Sequence, residues 1–330
     1  MKAMVIEMTE KQLYTSAWDE CPRVAVVMAT YNGIKYLEEQ VDSIFSQNGV
    51  NVSLYVYDDC STDGTPTLLK KLSNEYGSKG KTLVYTKGEE NVGFPTSFFK
   101  ALASVENSFD FYAYSDQDDV WKESKLYVAV KALELTSGNS SRPSLYFEPT
   151  TAVDENLAFL FERGLAGLHL TLQGFFVRAR VAAHTMVFDV NLKRELDLVG
   201  ENHCGFSHGW LALLISKCTN ANLIVGEKSH TLHRRLSTSV SAGGKGFFKR
   251  LSFEWNVMFH PEVDRSPMAQ ILLERYGQQL GQSDRCFLKH LANYKKSCSD
   301  KQALLFSRSF DSDIRFCNIE GWISCLCNRY

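Results

Sequence analysis

Three things are scarce in this sequence, and each scarcity removes a class of function. Net charge is nearly absent: the formal value is −2 over 330 residues. There is therefore no global drive toward nucleic acid or an anionic membrane surface, and a phosphate-bearing ligand must find local positive groups or a metal. Long apolar runs are missing too. A stretch such as WLALLI, 210–215, falls far short of the ~20 residues a bilayer span needs. The first twenty residues place acids where a signal peptide carries its apolar core. Paired cysteine motifs are the third absence. Nine cysteines, an odd number, run from Cys21 to Cys327 with no CxxC pair, and CLC at 325–327 is too tight for an ordinary disulfide and lacks partners for zinc. The expectation is a soluble, cytoplasmic chain with reduced, structural thiols. No internal repeat and no long low-complexity segment is visible.

What is present is an alternation. VAVVMA at 24–29 reads as a strand buried on both faces, and 34–45 carries apolar residues at helical spacing. VSLYVYDD (52–59), TLVYTK (82–87) and DFYAYS (110–115) are further strands. Between them lie helices over 66–77, with Thr65 or Asp63 as cap, and over 95–105. A β-α-β-α-β-α-β rhythm over 24–116 predicts an α/β fold with a parallel sheet covered by helices. Ligands bind such sheets at the carboxyl ends of the strands. The motifs ATYNG, DDCSTDG and SDQDD all fall there, on one rim.

SDQDD poses a physical problem. Asp116, Asp118 and Asp119 lie within four positions after an apolar strand, and charges that close need a counter-charge, full exposure or a bound cation. A solvated acidic turn capping the helix near VWKESKL is the bland alternative. For Asp58 and Asp59 it is an Asx-turn. Gly93 in ENVGF allows a close backbone approach or simply a turn.

After about residue 135 the pattern loosens. SLYFEP (144–149) and ANLIVG (221–226) read as strands and HGWLALLISKC (208–218) as a helix, whereas 167–190 mixes both signals. Segments 244–259 and 267–280 look helical, with further helical material to about 306 and a soft boundary at 243.

VVMATYNG, YDDCSTDGT, ENVGF and YSDQDDVW, in this order, resemble family 2 glycosyltransferases of the GT-A fold, and SDQDD-V-W is similar to the bacterial rhamnosyltransferase-like branch. The resemblance is strong over 22–135 and traceable to about 242. It implies an N-terminal extension (1–21), a GT-A domain (22–243, with a nucleotide-sugar half at 22–135 and an acceptor half at 136–243) and a helical C-terminal region (244–330). It implies inverting transfer of a sugar, with rhamnose as the suggested one, from a dTDP- or UDP-linked donor to a saccharide or lipid-linked saccharide in bacterial surface polysaccharide synthesis. Carried over by position, Ala29, Thr30 and Tyr31 line the base pocket and Asp59 contacts the base. Asp118 coordinates Mg²⁺ or Mn²⁺, Asp116 faces the ribose or the metal, His184 and Thr185 of AHTM touch the donor sugar, and Arg234 pairs the diphosphate. Trp121 and Trp210 become acceptor platforms.

The sequence departs from the family at two places. Gly209 in FSHGW stands where relatives carry the carboxylate base, leaving His208 as the substitute, with Glu201 and Asp197 as further candidates. In HRRLSTSVS, Leu236 replaces a histidine and Ser239 an asparagine. A weakened homologue that serves a partner glycosyltransferase is the competing expectation. The basic, aromatic segment 244–255 suits peripheral contact with the inner face of a membrane, or else a helix packed on the catalytic domain.

Overall fold

The computed structural model describes residues 21–137, 141–236, 263–307 and 309–330. Segment 244–259, Ser239 and the boundary at 243 lie outside them, as do residues 1–20. The first half of the described chain runs β1 (Arg23–Thr30), α1 (Leu37–Phe45), β2 (Asn51–Asp58), α2 (Thr65–Ser78), β3 (Thr82–Lys87), α3 (Thr96–Ala103), β4 (Phe111–Ser115), β5 (Val120–Trp121) and α4 (Lys125–Ser137). Next come β6 (Ser144–Phe147), β7 (Thr150–Val153), β8 (Phe159–Arg163), α5 (Leu172–Val177), β9 (Val187–Asp189), α6 (Val190–Gly200), α7 (His208–Cys218), β10 (Asn222–Val225) and β11 (Thr231–Arg234). Among the described residues four helices follow: α8 (Arg265–Tyr276), α9 (Gln282–Asn293), α10 (Cys298–Phe306) and α11 (Arg315–Leu326).

Two compact units share these elements and interleave along the sequence. Residues 21–165, 181–201 and 221–235 form the first, and 166–180, 202–220 and the described part of 236–330 form the second. The first holds a seven-stranded sheet in the order β10-β6-β9-β4-β1-β2-β3. Neighbours β3, β2, β1 and β4 are parallel, as the alternating pattern predicts, and β9 runs antiparallel between β4 and β6. Val24, Val26 and Met28 pack on one face of β1 against Leu37, Val41 and Ile44 of α1, while Ala25 and Val27 are equally buried on the other. Burial on both faces is what an unbroken apolar run is for. A second, four-stranded sheet, β5-β11-β7-β8, is absent from the sequence-based expectation. Its strands are two to five residues long, too short to show a period.

The ambiguous stretch 167–190 resolves into α5, a short 3₁₀ turn at Ala183–Thr185 and the three-residue β9. In the second unit Phe176 meets Phe206 and Phe287 edge-on, and Leu211, Leu214, Met268, Leu272, Leu288 and Leu291 are buried.

Candidate active site at the carboxyl edge of the sheet

The loops after β1, β2 and β4 are fastened to one another. Gln117 accepts hydrogen bonds from the Thr30 hydroxyl (2.5 Å) and the Tyr31 amide (3.0 Å) and donates to the Tyr31 carbonyl (3.3 Å). A Cβ on Gly33 would sit 2.4 Å from Gln117 Oε1, so the glycine of TYNG is required by this bridge. Asn32, at φ +49°, accepts from the Thr62 amide (2.9 Å), and its own amide donates to Ser61 Oγ (2.8 Å). Asp58 is buried and accepts from the Ser61 hydroxyl. Asp63 Oδ1 accepts from the Thr65 amide (2.9 Å) in a local turn, but Gly64 is the residue that precedes α2 and no side chain caps it, so neither Thr65 nor Asp63 is the cap. Asp59 spends both carboxylate oxygens on the loop before α3, accepting from the Val92 and Gly93 amides at 2.8 Å each. Asp59 is 3% exposed, so its evident role is to hold ENVGF in place.

Beside these loops four side chains converge. Asp116, Asp119, His184 and His233 offer ligand atoms that all lie within 4.8 Å of one another. His184 Nδ1 is 3.0 Å from Asp116 Oδ2 and 3.5 Å from Asp119 Oδ2, and His233 Nδ1 is 2.9 Å from Asp119 Oδ1. The two imidazoles stack with centroids 4.6 Å apart. Burial opposes a charge on His233, but the hydrogen bond to Asp119 and the charges of Asp119, Asp116 and Asp118 outweigh it and raise its pKa. Burial first, then Asp119 and Asp116, push the Asp118 carboxyl up to about 7. Asp119 is fully buried, and its Oδ2 accepts no hydrogen bond among the described residues. A buried carboxylate oxygen without a donor is costly unless a cation completes it. This donor set of carboxylate oxygens and imidazole nitrogens fits a divalent ion of the Mn²⁺ kind.

The geometry corrects several sequence expectations. The second carboxylate of the cluster is Asp119, not Asp118. The histidine expected at position 236 has a counterpart three residues earlier, because β11 pairs antiparallel with β5 and parallel with β7 and so carries His233 to Asp119. A histidine directly before the arginine pair was the available signal. Arg234 is not open to a diphosphate: it is 2% exposed, its guanidinium bonds Glu39, the Asp118 carbonyl and the Glu155 carbonyl, and it stacks 4.4 Å over Tyr36. Trp121 is 3% exposed, with Lys125 Nζ 4.5 Å over its ring, so it is core and presents no platform. Thr185 is buried and donates its hydroxyl to the Ala182 carbonyl (2.7 Å). Ala183, in the family's glycine position, is not at positive φ and costs no strain. Ala29 and Thr30 end β1 opposite Tyr57 and Asp58, and Tyr31 is 48% exposed at the loop tip.

Asp197 is excluded as a base for this site. It binds Lys193 (2.6 Å) and Asn107 (3.2 Å), placing it at the amino end of β4, a five-residue strand, roughly 16 Å from the rim. Glu201 is exposed after α6. His208 and Trp210 belong to the second unit. His208 is 2% exposed at the first position of α7. The Trp210 indole donates to the Phe175 carbonyl (2.5 Å), and its ring packs between Phe206 and the Arg265 guanidinium. That ring serves packing.

The site is an acidic, histidine-bearing cluster at the carboxyl edge of a mostly parallel sheet, the edge at which α/β folds bind their ligands. The Glycosyl transferase family 2 model matches residues 25–146. A dTDP-rhamnosyl transferase of Shigella flexneri, RfbG, is 26% identical over 251 residues, 72% of this chain and 82% of that protein. GgaA of Bacillus subtilis, a minor teichoic acid biosynthesis protein, is 22% identical over 182 residues, 51% of this chain and 40% of GgaA. The crystal structure of S. aureus TarS residues 1–349 with UDP-GlcNAc superposes with a TM-score of 0.55 at 16% identity, covering 93% of this chain and 80% of that one. Residues 25–146 are a family 2 glycosyltransferase domain, and the protein is a glycosyltransferase of the GT-A fold.

Proposed function

We propose that the protein transfers a sugar, rhamnose being the favoured one, from a nucleoside-diphosphate donor to a saccharide acceptor with inversion, in assembly of a bacterial surface polysaccharide. The carrying observation is the cluster of Asp116, Asp119, His184 and His233 at the end of β4, beside the loop of Thr30 and Tyr31. In the reaction the acceptor oxygen bonds to the anomeric carbon, the bond from that carbon to the diphosphate oxygen breaks, and the hydroxyl proton passes to water, leaving the glycoside, the nucleoside diphosphate and a hydrated proton. A divalent ion held by the four side chains would supply Lewis-acid stabilisation of the departing diphosphate. Tyr31 offers its exposed ring to the nucleobase, and Gln117 fixes the backbone on which that ring stands. The likeness to RfbG supports a dTDP-linked rhamnose, and the likeness to GgaA supports a cell-surface polymer. No helix among the described residues is long and apolar enough to cross a membrane.

Titration calorimetry tests this reading with dTDP and UDP, each with and without Mn²⁺. The expected result is metal-dependent binding, tighter for dTDP, that disappears in Asp119→Ala. One observation favours a second reading, a weakened homologue that serves a partner glycosyltransferase: Gly209 stands at the position of the family's carboxylate base, and glycine cannot accept a proton. Metal-independent binding, or none, together with no turnover of dTDP-rhamnose, would favour that reading.

A further inference from the structure

The two histidines of the cluster sit on slight supports, a three-residue 3₁₀ turn and a four-residue strand. Behind them lies a group that the transfer chemistry does not use. Lys125, at the start of α4, is 1% exposed, and its ammonium donates to the His184 carbonyl (2.7 Å) and to Thr231 Oγ1 (2.7 Å). Thr231 opens the strand that carries His233. One ammonium therefore joins both histidine-bearing segments. Glu148, also buried, stands 4.0 Å from Lys125 Nζ and binds the His230 amide and ring (2.8 Å each) and the Tyr146 hydroxyl (3.1 Å). The residues joined lie between 23 and 106 positions apart in sequence (Lys125 to Glu148, Lys125 to Thr231).

We infer that Lys125, anchored by Glu148, is a positioning residue that fixes His184 and His233 in register for the cation. This rests on the metal-dependent reading above. Burial disfavours the ammonium and lowers the Lys125 pKa, while Glu148, Asp119 and Asp116 oppose that shift. An apolar group there would remove this donor from the His184 carbonyl and Thr231 Oγ1 and the counter-charge from buried Glu148. Outer partners of metal ligands typically change metal affinity by about 10–100-fold when removed. No bond is made or broken by Lys125 in this role.

The test uses the full chain, Mn²⁺ alone and electron paramagnetic resonance to count free ion, without donor or acceptor. Wild-type protein, Lys125→Met and Thr231→Val are compared, with circular dichroism melts to establish folding. The expected result is about 10–100-fold weaker Mn²⁺ binding in Lys125→Met, with a smaller loss in Thr231→Val. Raising Mn²⁺ should then restore dTDP binding in Lys125→Met, which a merely structural defect would not allow. Unchanged Mn²⁺ affinity in a folded Lys125→Met overturns the inference and leaves the metal reading standing. If Lys125→Met does not fold, unchanged affinity in Thr231→Val overturns it instead. No Mn²⁺ binding by the wild type overturns both.

Discussion

The two sheets of the first unit reach the same site by opposite routes. The seven-stranded sheet delivers Asp59 and the 116–119 acids from loops that directly follow two of its parallel strands, β2 and β4. The small sheet delivers His233 from a strand whose partners lie about 80 and 110 residues away in sequence. The first route needs only strand order. The second needs tertiary contacts that exist once the chain has folded, and Lys125, Glu148 and Arg234 supply them from buried positions. Placement by the first sheet is therefore robust and local, and placement by the second depends on a few charged side chains.

Four substitutions would break or sharpen that contrast, from the largest effect to the smallest. Asp119→Ala removes the carboxylate where both routes meet. Mn²⁺ affinity should fall by more than the roughly 100-fold that outer partners can cost, measured by calorimetry. Lys125→Met should lower it by about 10–100-fold, as argued above, and wild-type affinity in that variant would erase the difference between the routes. Asp59→Ala acts on the first sheet alone. Leaving the Val92 and Gly93 amides without their acceptor should cost about 1–3 kcal/mol in urea unfolding, with Mn²⁺ binding unchanged. Gln117→Ala cuts the bridge between the β1 and β4 loops. It should cost about 1 kcal/mol and weaken dTDP binding more than Mn²⁺ binding, since the bridge supports Tyr31.

How much was legible in the sequence follows the same division. β1 to β4, the helices between them and the rim of three motifs were readable because each signal is contiguous: an apolar run, then a polar loop, then a helical period. Asp116 was identified by that logic. Spacing does not separate Asp118 from Asp119, because it carries no information on a carboxylate's depth, and Asp119 is the one that is fully buried. Arg234 read as a diphosphate partner because a sequence shows its charge but not the Glu39 carboxylate and Tyr36 ring that occupy it. The histidine of the third motif looked lost at Leu236, whereas the short strand β11 brings His233 to the cluster. Trp121 and Trp210 illustrate the same limit for aromatics, whose burial depends on what folds over them.

One reversed strand has a wider consequence. β6 is parallel to β4, so it ends on the rim, and β9, running the other way between them, starts there. Everything from 148 to 186 is therefore a detour that departs from and rejoins the same edge of the sheet. Residues can be inserted into or removed from such a detour without shifting the pairing of any strand in the seven-stranded sheet. The fold thus tolerates length changes in the turns of this detour but not exchange of the whole, because β7 pairs with the strand of His233, Glu148 binds His230, and Phe175 and Phe176 of α5 are buried.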